Sequence, residues 1–281
     1  MVRMFVGVLL AAAINGPVDA QQRNRATAPV IFYAASNGSD IDNDCLSAAN
    51  PCTAQGAHRV AKVDWDFAHG SCLIQLADGT YTGIVSIAGQ YVGAHLCDLQ
   101  GKVDSQGNCI DRGAVVFDVP PGHVAFTVQD GMIASITCLT VTGGGIGFHG
   151  RQFVIFDIVD IDCGRLSICI GGVLNTVVNT LGEIWISGDQ DIFSTASWGS
   201  NILMNAQVVV KAPVTVTNLF LSEHKSHIEL SGKPIVNPDF LAGSACIAAK
   251  MGTISKNGTA LPCREGASGT PHQGNDGMIY D

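Results

Sequence analysis

The sequence predicts an all-β protein: a single-stranded, right-handed parallel β-helix with a short N-terminal capping helix. Three observations carry that expectation. Only 14% of the residues are charged, against about 25% in an ordinary globular domain, so Glu, Lys and Arg are too few to solvate the faces of long helices. Apolar strand starts recur near Val124, Ile146, Ile168, Ile192 and Thr215, at intervals of 22, 22, 24 and 23 residues. Only one segment, about Ala54 to Phe67, has helical spacing. A period in the twenties, with β-branched strands and Gly or Asn at the corners, marks a solenoid whose coils bury their faces by stacking. A β-sandwich is the alternative all-β architecture, but the even coil length and lone helix favour the solenoid. The hydrophobic content, 47%, excludes intrinsic disorder.

Taken in order, residues 1–20 read as a signal peptide. Arg3 supplies the positive start, Phe5 to Ile14 the apolar stretch, and Val18-Asp19-Ala20 a small-residue cleavage site. Residues 21–70 hold a strand (Val30-Ile31-Phe32-Tyr33), a turn (Asn37-Gly38-Ser39-Asp40) and the capping helix, with Thr53 as its N-cap. Residues 71–240 read as the coils, and 241–281 as a C-terminal coil and tail. No segment after the leader reaches the roughly 18 apolar residues of a membrane span. The mature chain is therefore expected to be secreted, extracellular or periplasmic. With 15 basic against 24 acidic residues, nucleic acid is a poor partner. Nothing in the sequence sets an oligomeric state.

Ten cysteines in an exported chain suggest an oxidising compartment. Spacing suggests the pairs Cys45–Cys52, Cys97–Cys109, Cys163–Cys169 and Cys246–Cys263, with Cys72 and Cys138 left over. Of these, Cys45–Cys52, around Asn50-Pro51, is the expected fastener of the cap.

The opening order of elements resembles that of secreted parallel β-helix proteins of the pectin-lyase-like superfamily. The residues that carry the likeness are Phe32-Tyr33, Gly38-Ser39-Asp40, the helix after Pro51, and Gly79-Thr80-Tyr81 closing the strand Cys72–Leu76. The resemblance implies the architecture and an extracellular polysaccharide as partner. It says little of chemistry, because the fold hosts lyases, hydrolases, esterases and adhesins.

A second strand series, Leu139–Val141, Val159–Ile161, Ile184–Ile186, Val208–Val210 and Ile228–Leu230, is expected to stack in register. Its inward column would be Val141, Ile161, Ile186, Val210 and Leu230. The outward column would read Thr140, Asp160, Trp185, Val209 and Glu229, flanked by Glu183, Gln207 and His227 on one side and Asp162, Ser187 and Lys211 on the other. Asp160 and Asp162, two residues apart on a strand, would stand roughly 6.6 Å apart, near the spacing of an inverting glycosidase's carboxylates. Asp160, Asp162 and Lys211 are the candidate catalytic residues. Glu183, Trp185, His227 and Glu229 are the candidate binding residues, with Trp185 placed to stack on a sugar. The alternative is a solvated outer face.

Weaker matches stand beside this face. Gly147-Phe148-His149-Gly150 resembles the Gly-His-Gly of polygalacturonases, interrupted by Phe148. Gly188-Asp189-Gln190-Asp191 resembles the Gln-Asp of pectin methylesterases, without that family's second motif. A pectate-lyase reading would have Asp157, Asp160 and Asp162 hold Ca2+, with Lys211 or Arg151 as base. Two functional classes follow: an enzyme, lyase or hydrolase, cleaving polysaccharide along one flank, or a noncatalytic β-helix for binding, structure or surface adhesion.

Overall fold

Short β-branched runs that alternate inward and outward cannot bury their apolar side alone, and here they do so by winding. The computed structural model describes residues 23–68, 70–89, 91–93, 97–129, 133–263 and 277–281; the leader segment 1–20 lies outside them. The chain forms a parallel β-solenoid of about eight turns with one short helix. Each coil visits three sheets in turn, as in Ile155–Val159, Asp162–Cys163 and Leu166–Val173. The first sheet has ten strands, the second six and the third eight. Pairing within them is parallel throughout. Outside them, Lys102–Val103 against Cys109–Asp111 and the isolated Ser47–Asn50 bridge are antiparallel.

The interior is one continuous column of apolar side chains. Phe117, Phe126 and Phe148 form an aromatic stack inside it, with ring centroids 4.5 and 5.4 Å apart. In the third sheet Val124, Ile146, Ile168 and Ile192 pair in register as expected, but the next rung is Asn218, not Thr215. That coil is longer because Val214 and Thr215 precede Val216, the partner of Gln190, so the third-sheet strand starts two residues early.

The cap is the helix Ala54–Asp64, with Thr53 Oγ1 accepting from Gly56 N at 2.9 Å. It stops short of the expected Phe67. Trp65 leaves the helical conformation, and Trp65–Asp66 pairs in parallel with Asn24–Arg25. The gain is aromatic packing: Phe32 meets Trp65 and Phe67 edge-on at 5.9 and 6.2 Å.

The disulfides are Cys45–Cys52, Cys72–Cys97, Cys109–Cys138, Cys163–Cys169 and Cys246–Cys263. The expected Cys97–Cys109 pair is not formed, and Cys72 and Cys138 are not left over. Stacking is the reason: Cys72 and Cys97 are opposite each other on adjacent rungs, with Cα atoms 4.6 Å apart.

The inward column of the second sheet also differs from expectation. It runs Tyr81, Phe117, Val141, Cys163, Ile186 and Val210, all buried. Ile161 and Leu230 are buried elsewhere, Leu230 on the first sheet opposite Met204. Val159 ends a first-sheet strand and Asp160-Ile161 form the corner after it, which moves the register of that coil by two residues.

Candidate functional site

The outer face of the second sheet carries the column Thr80, Val116, Thr140, Asp162, Trp185 and Val209. Asp162, not Asp160, therefore stands beside Trp185. Asp160 occupies the corner between the first and second sheets with φ 53°, in the left-handed region that Asp tolerates better than most residues. The strand rise does not apply there, so the spacing that suggested a glycosidase pair is not built.

Asp160 instead ties the corner together. Its Oδ1 accepts from Arg112 Nη2 at 2.8 Å and from the Glu183 amide at 3.0 Å. The next coil must carry glycine opposite it. A Cβ on Gly182, itself at φ 66°, would come within 2.4 Å of Asp160 Oδ1. The Arg112 guanidinium also lies 3.8 Å from Glu183 Oε2, and Trp185 Nε1 donates to that oxygen at 2.9 Å. Two cations lie over the indole, Arg112 Cζ at 4.1 Å and Lys211 Nζ at 3.8 Å from the ring centre. Trp185 is therefore engaged in cation–π contact and is not a free plate for a sugar.

Five of the seven candidate residues thus come together: Asp160, Asp162, Glu183, Trp185 and Lys211. His227 and Glu229 do not join them. Their strand His227–Leu230 belongs to the first sheet, where His227 Nδ1 and Thr253 Oγ1 share a hydrogen bond of 2.8 Å. Asp157 is also on the first sheet, with its Oδ1 accepting from Asn179 at 3.2 Å, so it stands apart from Asp160 and Asp162. Among the described residues no group of three or more His, Cys, Asp or Glu is placed to hold a metal ion.

Within the cluster Asp162 has the perturbed carboxyl. Burial pushes its pKa up, opposed by a hydrogen bond from Ser187 and by the Arg112 and Lys211 charges. Desolvation, not repulsion from the neighbouring carboxylates, is the cause. Its Oδ1 is buried and has no partner in the structure.

Three residues after Asp162 the chain enters an open cleft of about 510 Å³ where the second sheet turns into the third. Arg165, Ser167, Asp189, Gln190, Asp191 and Thr217 line it, with Gly143 and Gly144 on one wall. Gln190 is only 4% exposed. Its Nε2 donates to the Cys163 and Gly164 carbonyls at 3.1 and 3.3 Å, while Oε1 is buried without a partner. Flipping the amide would set an oxygen against two carbonyl oxygens, so the unpartnered atom is the acceptor. The sequence signal for this site was the Asp189-Gln190-Asp191 run, whose burial and neighbours only stacking reveals. No known protein family, curated protein or solved structure shows a significant match to this chain.

Proposed function

We propose that this protein binds extracellular polysaccharide along the edge where the second sheet meets the third, at the Arg165–Gln190 cleft and the adjoining Asp162–Trp185 flank. The single observation that carries the reading is the open, polar cleft of about 510 Å³ lined by Arg165, Ser167, Asp189, Asp191 and Thr217. Arg165, Asp191, Ser167 and Thr217 supply the mixture of donors and acceptors that hydroxyl-rich ligands take. The cleft volume lies within the roughly 300–1,000 Å³ of small-molecule sites. The five disulfides fit an extracellular or periplasmic protein, where such polymers are met. The likeness to the pectin-lyase-like superfamily supports the same substrate class.

Binding without turnover fits the flank better than cleavage, because Asp160 is spent on Arg112 and Trp185 is covered by cations. One observation favours cleavage: burial raises the pKa of the Asp162 carboxyl, the direction in which a general acid is tuned. The test titrates soluble neutral and uronic-acid polysaccharides, with and without Ca2+, and follows reducing ends and unsaturated-uronide absorbance alongside. Arg165→Gln is expected to weaken binding about tenfold, or about 1.4 kcal/mol. Turnover that disappears in Asp162→Asn with binding intact would establish an enzyme. Binding unaffected by Arg165→Gln, Asp162→Asn and Trp185→Ala alike would sink the proposed site.

A further inference from the structure

The corner between the third and first sheets is built the same way in five successive coils, from two consecutive left-handed residues. They are Gln152-Phe153, Leu174-Asn175, Trp198-Gly199, His224-Lys225 and Lys250-Met251, with φ between 50° and 80°. The backbones lock rung to rung: Phe153 N donates to Leu174 O, Asn175 N to Trp198 O, Gly199 N to His224 O and Lys225 N to Lys250 O, at 3.1 to 3.2 Å. Asn175 and Gly199 show which residues such a turn accepts without strain. Large side chains in this conformation are uncommon and strained. The chain nevertheless keeps Phe153, Leu174, Trp198 and Met251 there, and leaves them 71, 40, 56 and 44% exposed.

These residues carry conformational strain and exposed apolar surface at once, without filling the core. Strain of this kind collects where a surface works, and clustered apolar exposure marks interaction sites. Trp198 is also held in place, stacked on His224 with ring centres 4.2 Å apart and planes 8° apart. Charge says what the ridge faces. The chain has net charge −9, yet among the described residues this edge carries Arg151, Lys225 and Lys250 against Glu223 alone, and Glu223 is already paired with Lys250 at 3.5 Å. Arg151 and Lys225 have no ion pair among the described residues.

We infer that this ridge is a docking surface for an acidic polysaccharide lying parallel to the solenoid axis. Phe153, Leu174, Trp198 and Met251 take the apolar faces of the sugar rings, and the unpaired Arg151 and Lys225 take the carboxylates. With rungs about 4.8 Å apart, the five corners span about 19 Å, enough for several sugar units. The inference rests on the polysaccharide reading and assigns the acidic class to this second face.

The experiment measures binding of polygalacturonate and of its carboxyl-reduced, neutral counterpart to the whole protein, with thermal melting in parallel. Phe153→Gly with Trp198→Gly is expected to weaken polygalacturonate binding at least tenfold, with melting unchanged or raised because glycine relieves the corner. Arg151→Gln with Lys225→Gln is expected to flatten the salt dependence and to leave the neutral polymer unaffected. Unchanged polygalacturonate binding in both variants overturns the ridge. If Arg165→Gln still weakens binding in that case, the cleft reading stands and only the ridge has failed. A ridge that instead drives concentration-dependent self-association, with no response to either polymer, is an interface between copies and also overturns the inference.

Discussion

His58 lies on the buried face of the capping helix, 3% exposed, sharing a hydrogen bond between its Nδ1 and the hydroxyl of buried Tyr91. Burial, and secondarily the Lys62 charge, lowers its pKa from 6.5 to about 4. Between those values the unfolded chain binds the proton and the folded chain does not, so stability rises with pH. The contribution is complete above 6.5 and is lost as pH falls towards 4, reaching roughly 3 kcal/mol at most. Melting curves from pH 7 to 4 are expected to show this loss in the wild type and a smaller one in His58→Gln. Equal slopes would refute the assignment. Asp160 shows what a single position conceals. As one letter between Val159 and Ile161 it reads as the outward member of a strand. Asp is, however, among the residues that tolerate a left-handed corner, and Cys138 and Gly182 hold that conformation at the same corner of the coils before and after. Gly182 was the available signal.

At the scale of elements, the capping helix was the most legible part. Its N-cap could be named in advance because Thr ahead of an apolar periodic run has a local job, accepting from the N3 amide. The sequence could not show the brace behind it: Thr53 N and Oγ1 both donate to the Asp40 carboxylate at 2.8 Å. Gly56 leaves room for that carboxylate, since a Cβ there would fall 1.9 Å from Asp40 Oδ1. Thr53→Ala is expected to cost about 1–2 kcal/mol in denaturant unfolding. Gly56→Ala is expected to destabilise as well, although Ala is the better helix former by up to about 1 kcal/mol. A Gly56→Ala protein more stable than wild type would contradict the packing described.

For the whole molecule, stability is carried from coil to coil, because each rung packs only on its neighbours. Cys72–Cys97 joins the first coils across 25 residues. Replacing both cysteines by alanine is expected to cost about 2–4 kcal/mol. Hydrogen exchange should then show the N-terminal rungs opening ahead of the central ones. Uniform loss of protection along the solenoid would show that the coils do not open independently. The distribution of charge belongs to this scale too. A net charge of −9 argues on average against an acidic partner, but the solenoid collects Arg151, Lys225 and Lys250 on one edge, 99 residues apart in sequence at the extremes.

The sequence by itself determined the repeat, the all-β solenoid, the capped helix and the Cys45–Cys52 staple. Each of these rests on short-range physics: alternation for burial, turn residues at corners, an N-cap within three residues of its donor. Tertiary structure decided which coil residues face one another. The third-sheet rungs fall at 124, 146, 168, 192 and 218, and the residues spent at each corner differ from coil to coil. A shift of two residues in one corner placed Asp162 beside Trp185 and sent Asp160 to Arg112. The longer last coil left His227 and Glu229 on another sheet. Cys72–Cys97, the Gln190 cleft and the left-handed ridge share that origin, because contacts between rungs exist only once the coils have stacked.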